Sequence, residues 1–198
     1  MAKVTTELSM SLDGYVAHSN DDPGEIFEWY NSGDVEMQTA MPGLEFRVSR
    51  ASYDHIQESW PRVGCLISGG RLFRITNGWG GRHPVDAPVV VVSRSPEPSD
   101  WRAEHPGAPF TFVGDVETAV AKAKEIAGDK DVTVAGPSII QQVINLGLMD
   151  EITVSLVPVL IGEGLPFFGD LVKPPVRLSN PSIVEGDGVT HLTYKVIK

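Results

Sequence analysis

The chain has 198 residues, 41% of them hydrophobic, and a formal net charge of −10. That length can bury a sizeable core without staples, and the acidic balance with no basic cluster excludes nucleic acid and anionic membrane surfaces as expected partners. A single cysteine, Cys65, excludes a disulfide framework and fits a reducing cytosol.

In chain order, residues 3–11 alternate as a strand does, and Asp13-Gly14 interrupts them before Tyr15-Val16-Ala17 resumes. HSNDDPG (18–24) has the composition of a loop. EIFEWYN (25–31) puts Ile26, Trp29 and Tyr30 on one face of a short helix, whereas residues 32–47 carry no assignable pattern beyond a surface loop at Met41-Pro42-Gly43. Ser49 predicts an N-cap for a helix to about Ser59. VGCLIS (63–68) predicts a buried strand with Cys65 as a small hydrophobe, and Gly69-Gly70 opens a helix over RLFRIT. TNGWGGRHPVDAP follows as a long loop, in which His83 reads as solvated.

VVVVS (89–93) predicts a strand covered on both faces. Residues 94–109 form a proline-rich loop with a turn near Trp101, and FTFV (110–113) is a short strand. Asp115 caps an amphipathic helix that Gly128 ends. VTVA (132–135) is a strand feeding the helix PSIIQQVINLG, with Pro137 where its missing N–H costs nothing and Gly147 as the stop. EITVSLVPVLI (151–161) is a strand, and VRLSNPSIVEG with VTHLTYKVIK closes the chain as a hairpin across Gly186-Asp187-Gly188. Strands alternating with helices and then running consecutively predict one α/β domain over residues 1–198, with a mostly parallel sheet and an antiparallel finish.

Three strand-to-helix turns carry small residues: Ser68-Gly69-Gly70, Val92-Ser93-Arg94 and Ala135-Gly136-Pro137-Ser138. Ligands of open α/β sheets settle at the carboxyl ends of strands, and helix N-termini present free N–H groups to phosphates. Arg71 and Arg94 follow such turns, either as surface arginines or as forks for a phosphate monoester. Neither a Rossmann fingerprint nor a P-loop is present. The five histidines have no paired spacing, so no metal site is expected. Asp13 is either a turn residue or a catalytic carboxylate, and Glu163, between two glycines after a buried strand, is placed to reach a cleft.

MSLDGYVA (10–17), GGRLF (69–73), VVVVSR (89–94), VAGPSIIQQ (134–142) and GLMDEITVSLVPVLIGEGLPFF (147–168) resemble the dihydrofolate-reductase-like family. The closer resemblance is to its branch related to the C-terminal reductase domain of bacterial bifunctional riboflavin biosynthesis deaminase-reductases. It spans residues 3–198 and implies a three-layer α/β/α fold binding NADPH. Ser9, Val16 and Ala17 would lie near the nicotinamide and its ribose. Gly69, Gly70, Arg71 and Leu72 would meet the adenine-side phosphates, Ser93 and Arg94 the 2′-phosphate, and Ala135, Gly136, Pro137, Ser138 and Ile139 the pyrophosphate. Asp13 and the Gly162-Glu163-Gly164 turn would border the substrate, and Glu25 or Glu28 could stand for the carboxylate of true dihydrofolate reductases. The chain departs from relatives in having Gly70 where they often carry an arginine, Pro137 where they often carry a second glycine, and no zinc deaminase half.

The expectation is therefore an NADPH-dependent reductase of a pyrimidine intermediate of riboflavin synthesis or of a pterin. A non-catalytic nucleotide-binding sensor, and a flavin- or deazaflavin-dependent reductase, are the alternatives. Residues 1–17 do not read as a signal peptide and no apolar run spans a bilayer, so a cytoplasmic location is expected. The resemblance also implies a homodimer, with the strand around 151–160 and the closing hairpin as contact surface.

Overall fold

The computed structural model describes residues 2–198. The first third comprises β1 (Val4–Ser11), β2 (Tyr15–Ala17), a 3-10 stretch (Gly24–Asn31), β3 (Val35–Gln38), β4 (Glu45–Val48) and α1 (Arg50–Ser59). The middle comprises β5 (Val63–Gly69), α2 (Gly70–Ile75), β6 (Val89–Val92), α3 (Ser99–Glu104), β7 (Phe110–Val113) and α4 (Val116–Ala127). Then come β8 (Asp131–Ala135), α5 (Pro137–Asn145), β9 (Glu151–Val157), β10 (Leu165–Pro166), β11 (Arg177–Leu178), β12 (Ser182–Glu185) and β13 (Thr190–Ile197).

Local sequence explains most of these elements. Ser49 caps α1, its hydroxyl accepting from Ser52 N at 3.2 Å. The Asp115 carboxylate accepts from Thr118 N at 2.7 Å to start α4. Val116, Ala119, Val120, Ala123 and Ala127 bury one stripe of that helix, and Gly128 ends it. The β-branched run of β6 is almost wholly buried, as a strand covered on both faces requires.

The large sheet has nine strands in the order β11-β13-β9-β1-β8-β5-β6-β7, with β12 also on β13. Pairs from β9 to β7 are parallel, and β13 runs antiparallel to β9, β11 and β12. This is the mostly parallel α/β sheet with antiparallel C-terminal strands that the pattern predicts. On one face α4 and α5 close an apolar layer around Ile67, Val90, Val134 and Ile140. On the other, Phe73 of α2 and Trp101 of α3 cover β5 to β7, while the 3-10 stretch and α1 cover the β9 side through Ile26, Trp29 and Ile56.

Several sequence expectations are corrected. Residues 32–47 contain the hairpin β3–β4, whose alternation is only four residues per strand and half exposed. The turn near Trp101 is a helix, held because the Trp101 indole donates to Asn77 O at 3.0 Å and the Arg102 guanidinium donates to Ala108 O at 2.8 Å. The strand expected over 151–161 stops at Val157, before Pro158. The first arm of the closing hairpin breaks at Pro181 into β11 and β12. Residues 151–157 lie between β1 and β13, so they offer no free edge to a second subunit.

Candidate functional site

The carboxyl ends of β8, β5 and β6 stop level with one another: Ser68 pairs with Ala135 and Gly69 with Val92. The turns that follow touch. A Cβ on Gly69 would sit 3.2 Å from Ile139 Cγ1, one on Gly70 3.2 Å from the Ser93 hydroxyl, and one on Gly136 3.8 Å from Leu72 Cδ2. Gly136 has φ +93°, so a glycine is needed there to turn β8 into α5. No side chain caps the N-terminus of α5. Helices α2 and α5 leave on opposite faces of the sheet, which makes the gap between β5 and β8 the switch point where ligands of such sheets bind. The structure thus brings together Gly69, Gly70, Leu72, Ser93, Ala135, Gly136, Pro137, Ser138 and Ile139.

The arginines divide differently from expectation. Arg71 is tied to Asp21 of the 18–24 loop, its Nη2 and Nε donating at 2.9 and 3.1 Å. Arg94 is exposed and has no ion pair among the described residues. Arg74, which sequence reasoning passed over, places Nη1 3.5 Å from the position a Gly70 Cβ would take, on the side of Ser93. The helical spacing of Arg71 and Arg74 was the signal that could have found it.

The β1 loop closes the other side. Asp13 accepts from Ser11 Oγ at 2.6 Å, Gly162 N at 2.7 Å and Ile161 N at 3.1 Å. The Ser11 hydroxyl and these backbone donors hold its carboxyl below the usual range. Leu12 N donates to Val159 O and Phe167 N to Gly14 O, while Ala17 pairs with Leu165, so residues 11–17 and 159–167 form one double loop. Asp13 therefore clasps that loop, next to an exposed Glu163. Val16 packs on the apolar layer. Ser9 is buried, and its hydroxyl accepts from the Trp29 indole at 2.9 Å. Glu25 is exposed and paired with His18 at 2.9 Å.

A polar interior lies under α1. Strand alternation sends Thr5, Glu7 and Ser9 of β1 to that face, with Thr133, Thr153 and Ser155 from its neighbours. Thr5 bonds Thr133 and Thr153 bonds Thr193, each at 3.0 Å. His55 of α1 meets Glu7, Nε2 to Oε1, at 2.9 Å. Its ring stacks on His191 with centroids 4.3 Å apart and planes 16° apart. His191 bonds Ser155 through Nδ1 at 2.9 Å and Ser52 through Nε2 at 3.0 Å. The histidines are thus paired in space though not in sequence. Glu7, His55 and His191 each bring one possible ligand atom within 4.8 Å of the others, and here both His191 nitrogens are hydrogen-bonded to serine hydroxyls. Burial lowers both imidazoles; the Glu7 carboxylate more than offsets it for His55, which ends raised, while His191 falls to about 4.

His83 is also corrected. Its Nδ1 accepts from Val85 N at 3.2 Å, its ring lies edge-on to Trp79, and burial lowers it to about 4. Cys65 is fully buried, and its thiol is pushed up to about 12 by desolvation, as an inert hydrophobe requires.

The comparisons with known proteins agree with this architecture. The family model described as the RibD C-terminal domain matches residues 2–191. The Bacillus subtilis (strain 168) protein YyaP, itself uncharacterized, is 41% identical over 195 residues, covering 97% of this chain and 94% of that one. A Shewanella sp. PV-4 protein assigned to riboflavin biosynthesis superposes with a TM-score of 0.72 at 21% identity, covering 100% of both chains. Dihydrofolate reductase from Enterococcus faecalis, complexed with NADP(H), superposes with a TM-score of 0.61 at 13% identity, covering 99% of this chain and 97% of that one. The fold is therefore dihydrofolate-reductase-like. With the family model spanning nearly the whole chain and its motifs meeting at the carboxyl ends of β8, β5 and β6, the protein belongs to the RibD C-terminal domain family.

Proposed function

We propose that this chain is an NADPH-dependent reductase of a flat nitrogen heterocycle, either a pyrimidine such as 5-amino-6-(5-phosphoribosylamino)uracil or a pterin. The observation that carries this reading is the contact of three small-residue turns at the β8–β5–β6 ends, with no side-chain cap on the N-terminus of α5 and with Arg94 and Arg74 beside Ser93 without an ion pair among the described residues. A pyrophosphate fits where glycines at 69, 70 and 136 permit close backbone approach and the α5 dipole favours negative charge. A 2′-phosphate fits between Ser93, Arg94 and Arg74. The cofactor would supply the hydride.

The chain's own residues then bind and orient. The Asp13 clasp holds the double loop of residues 11–17 and 159–167 against the carboxyl end of β1, where Val16 and Ala17 would face the nicotinamide. Glu163 would border the substrate from the same loop. Two features favour a second reading, a nucleotide-binding protein without turnover: Pro137 offers no N–H to a phosphate, and Arg71 is already committed to Asp21. In either reading one domain acts in the cytoplasm, as a homodimer through the β11–β13 region where Leu178, Ile183 and Ile197 are exposed.

The test is titration with NADPH and NADH, read by quenching of tryptophan and energy transfer to the nicotinamide. Tight, NADPH-selective binding, followed by substrate-dependent oxidation at 340 nm, is expected. No binding of either nucleotide would sink the reading, and NADPH binding with no turnover of any pyrimidine or pterin would favour the sensor.

A further inference from the structure

Away from the nucleotide-facing turns, one place on the sheet gathers ligating side chains from separate elements. Glu7 comes from β1, His55 from α1 and His191 from β13. In register, Ser9 of β1 lies beside Ser155 of β9, and Ser155 beside His191, so Glu7 and His191 project from the same face. On that face the intervening β9 carries only the short side chains of Thr153 and Ser155, which leave room for Glu7 and His191 to approach each other over it. His55 descends on them from α1. Each of the three residues brings one ligand atom within 4.8 Å of the others. Atoms bound at about 2.1 Å to one zinc ion lie at most about 4 Å apart, so a contraction of about 1 Å closes the set.

The surroundings suit an ion. His191 is buried with a serine hydroxyl on each ring nitrogen, so whichever nitrogen ligates, the other stays oriented. An outer partner of that kind is what a metal-bound imidazole needs. His55 is the adjustable member. Its ring plane lies 16° from that of His191, and turning it about its Cβ–Cγ bond lets both rings converge on one point. Its hydrogen bond at 2.9 Å is to Glu7 itself, so an ion inserted between the two replaces that bond rather than orphaning either group. A groove of about 40 Å³, with Asp131 and Glu151 on its walls, reaches Glu7. That is room for about one water molecule, and hence for a single ion to enter. Arg62 and Lys3 pair with those two carboxylates and keep the groove from being strongly anionic.

We propose that Glu7, His55 and His191 form a binding site for a divalent transition-metal ion of the zinc class, which clamps α1 to β1 and β13. Two imidazoles and one carboxylate are a donor set that zinc accepts, with water in the fourth position, whereas magnesium and calcium call for oxygen ligands throughout. Binding expels to solvent the proton that His55 and Glu7 share, and no electron moves. The site lies part-way along β1, under α1, not at the carboxyl-end turns of β8, β5 and β6. It therefore holds whether or not the chain reduces a heterocycle.

The test uses the full chain, stripped with a chelator and titrated with zinc chloride alone by calorimetry. Cobalt(II) chloride serves as a second probe, because its visible absorption reports four-coordinate binding. The expected result is one ion per chain, a strong cobalt band and a Tm that rises by several degrees with zinc. His55→Gln and Glu7→Gln, which keep size and hydrogen bonding, should each weaken zinc by more than about 100-fold, beyond the cost of losing an outer partner. His18→Gln and His83→Gln, outside the cluster, should leave it unchanged. Histidine ¹⁵N NMR of the wild type needs no variant, so it decides the matter even if one fails to fold: zinc should shift the rings of His55 and His191 together and leave the other three in place. A wild type that takes up no zinc overturns the proposal. So does zinc affinity that survives His55→Gln, or that falls as much in His18→Gln, and so does an NMR shift confined to other imidazoles.

Discussion

Under α4 and α5, β1 presents Val4, Thr6, Leu8 and Met10; under α1 the same strand presents Thr5, Glu7, Ser9 and Ser11. The first face is closed by aliphatic contact, and its one hydroxyl, Thr6, is satisfied on Val134 O at 2.8 Å. The second is closed by serine, threonine, histidine and carboxylate groups bonded to one another across four strands and α1. An apolar layer of the first kind gives stability at little specificity. A polar layer costs desolvation, offset here by pairing, and it keeps groups that can exchange protons inside a folded domain. The difference gives one face of the sheet aliphatic packing and the other a paired polar network.

The comparison breaks most readily at Ile140, fully buried in the apolar layer. Ile140→Ala should cost about 2–5 kcal/mol, from lost transfer energy and the cavity left behind. Urea unfolding at neutral pH measures it, and a loss below about 1 kcal/mol would mean that this face is not the main source of stability.

Acid should weaken the molecule through its neutral imidazoles. His191 and His83 fall to about 4 in the native state, against an ordinary 6.5. The unfolded chain therefore binds protons that the folded one refuses. Stability is full above about pH 6.5 and declines toward pH 4, by up to about 3 kcal/mol per group. His55 has the opposite sign: its raised value adds stability at low pH that is lost as the pH rises through it. Replacing His191 by Gln should flatten the acid limb of the unfolding free energy. An unchanged limb would show that the buried stack is not its source.

The cofactor end of the sheet sharpens the comparison next. Arg94→Ala should weaken NADPH by about 1.5–3 kcal/mol, as for a lost hydrogen bond to a charged group, and leave NADH nearly unchanged. Arg71→Ala, which breaks the Asp21 pair, should cost less, and equal losses for both nucleotides would remove Arg94 from the 2′-phosphate. The smallest effect belongs to the helix that roofs the polar layer. Ser49→Ala, which removes the α1 cap, should cost about 1 kcal/mol by the same denaturant measurement.

Much of this was legible in the chain. The glycine and proline punctuation of VAGPSII, the β-branched run of VVVVS and the Asp115 and Ser49 caps act over a few residues, so local physics was enough to place those elements and the three turns. Their meeting followed from the parallel order, because strands that run the same way end at the same edge. The pairing of Arg71 with Asp21 was not legible, since it joins positions far apart in sequence on an exposed loop. Nor was the clasp made by Asp13, whose partners are backbone groups of residues 161 and 162.

The sequence by itself determined the strand and helix order, the buried cysteine and the small-residue turns, because each depends on neighbours within a turn or two of chain. Only the tertiary structure decided what the polar side of β1 packs against. Alternating Thr5, Glu7, Ser9 and Ser11 look the same whether that face meets water or another element. The packing of α1 over β1, β9 and β13 is what turned a solvent-like pattern into a partly buried Glu7–His55–His191 cluster.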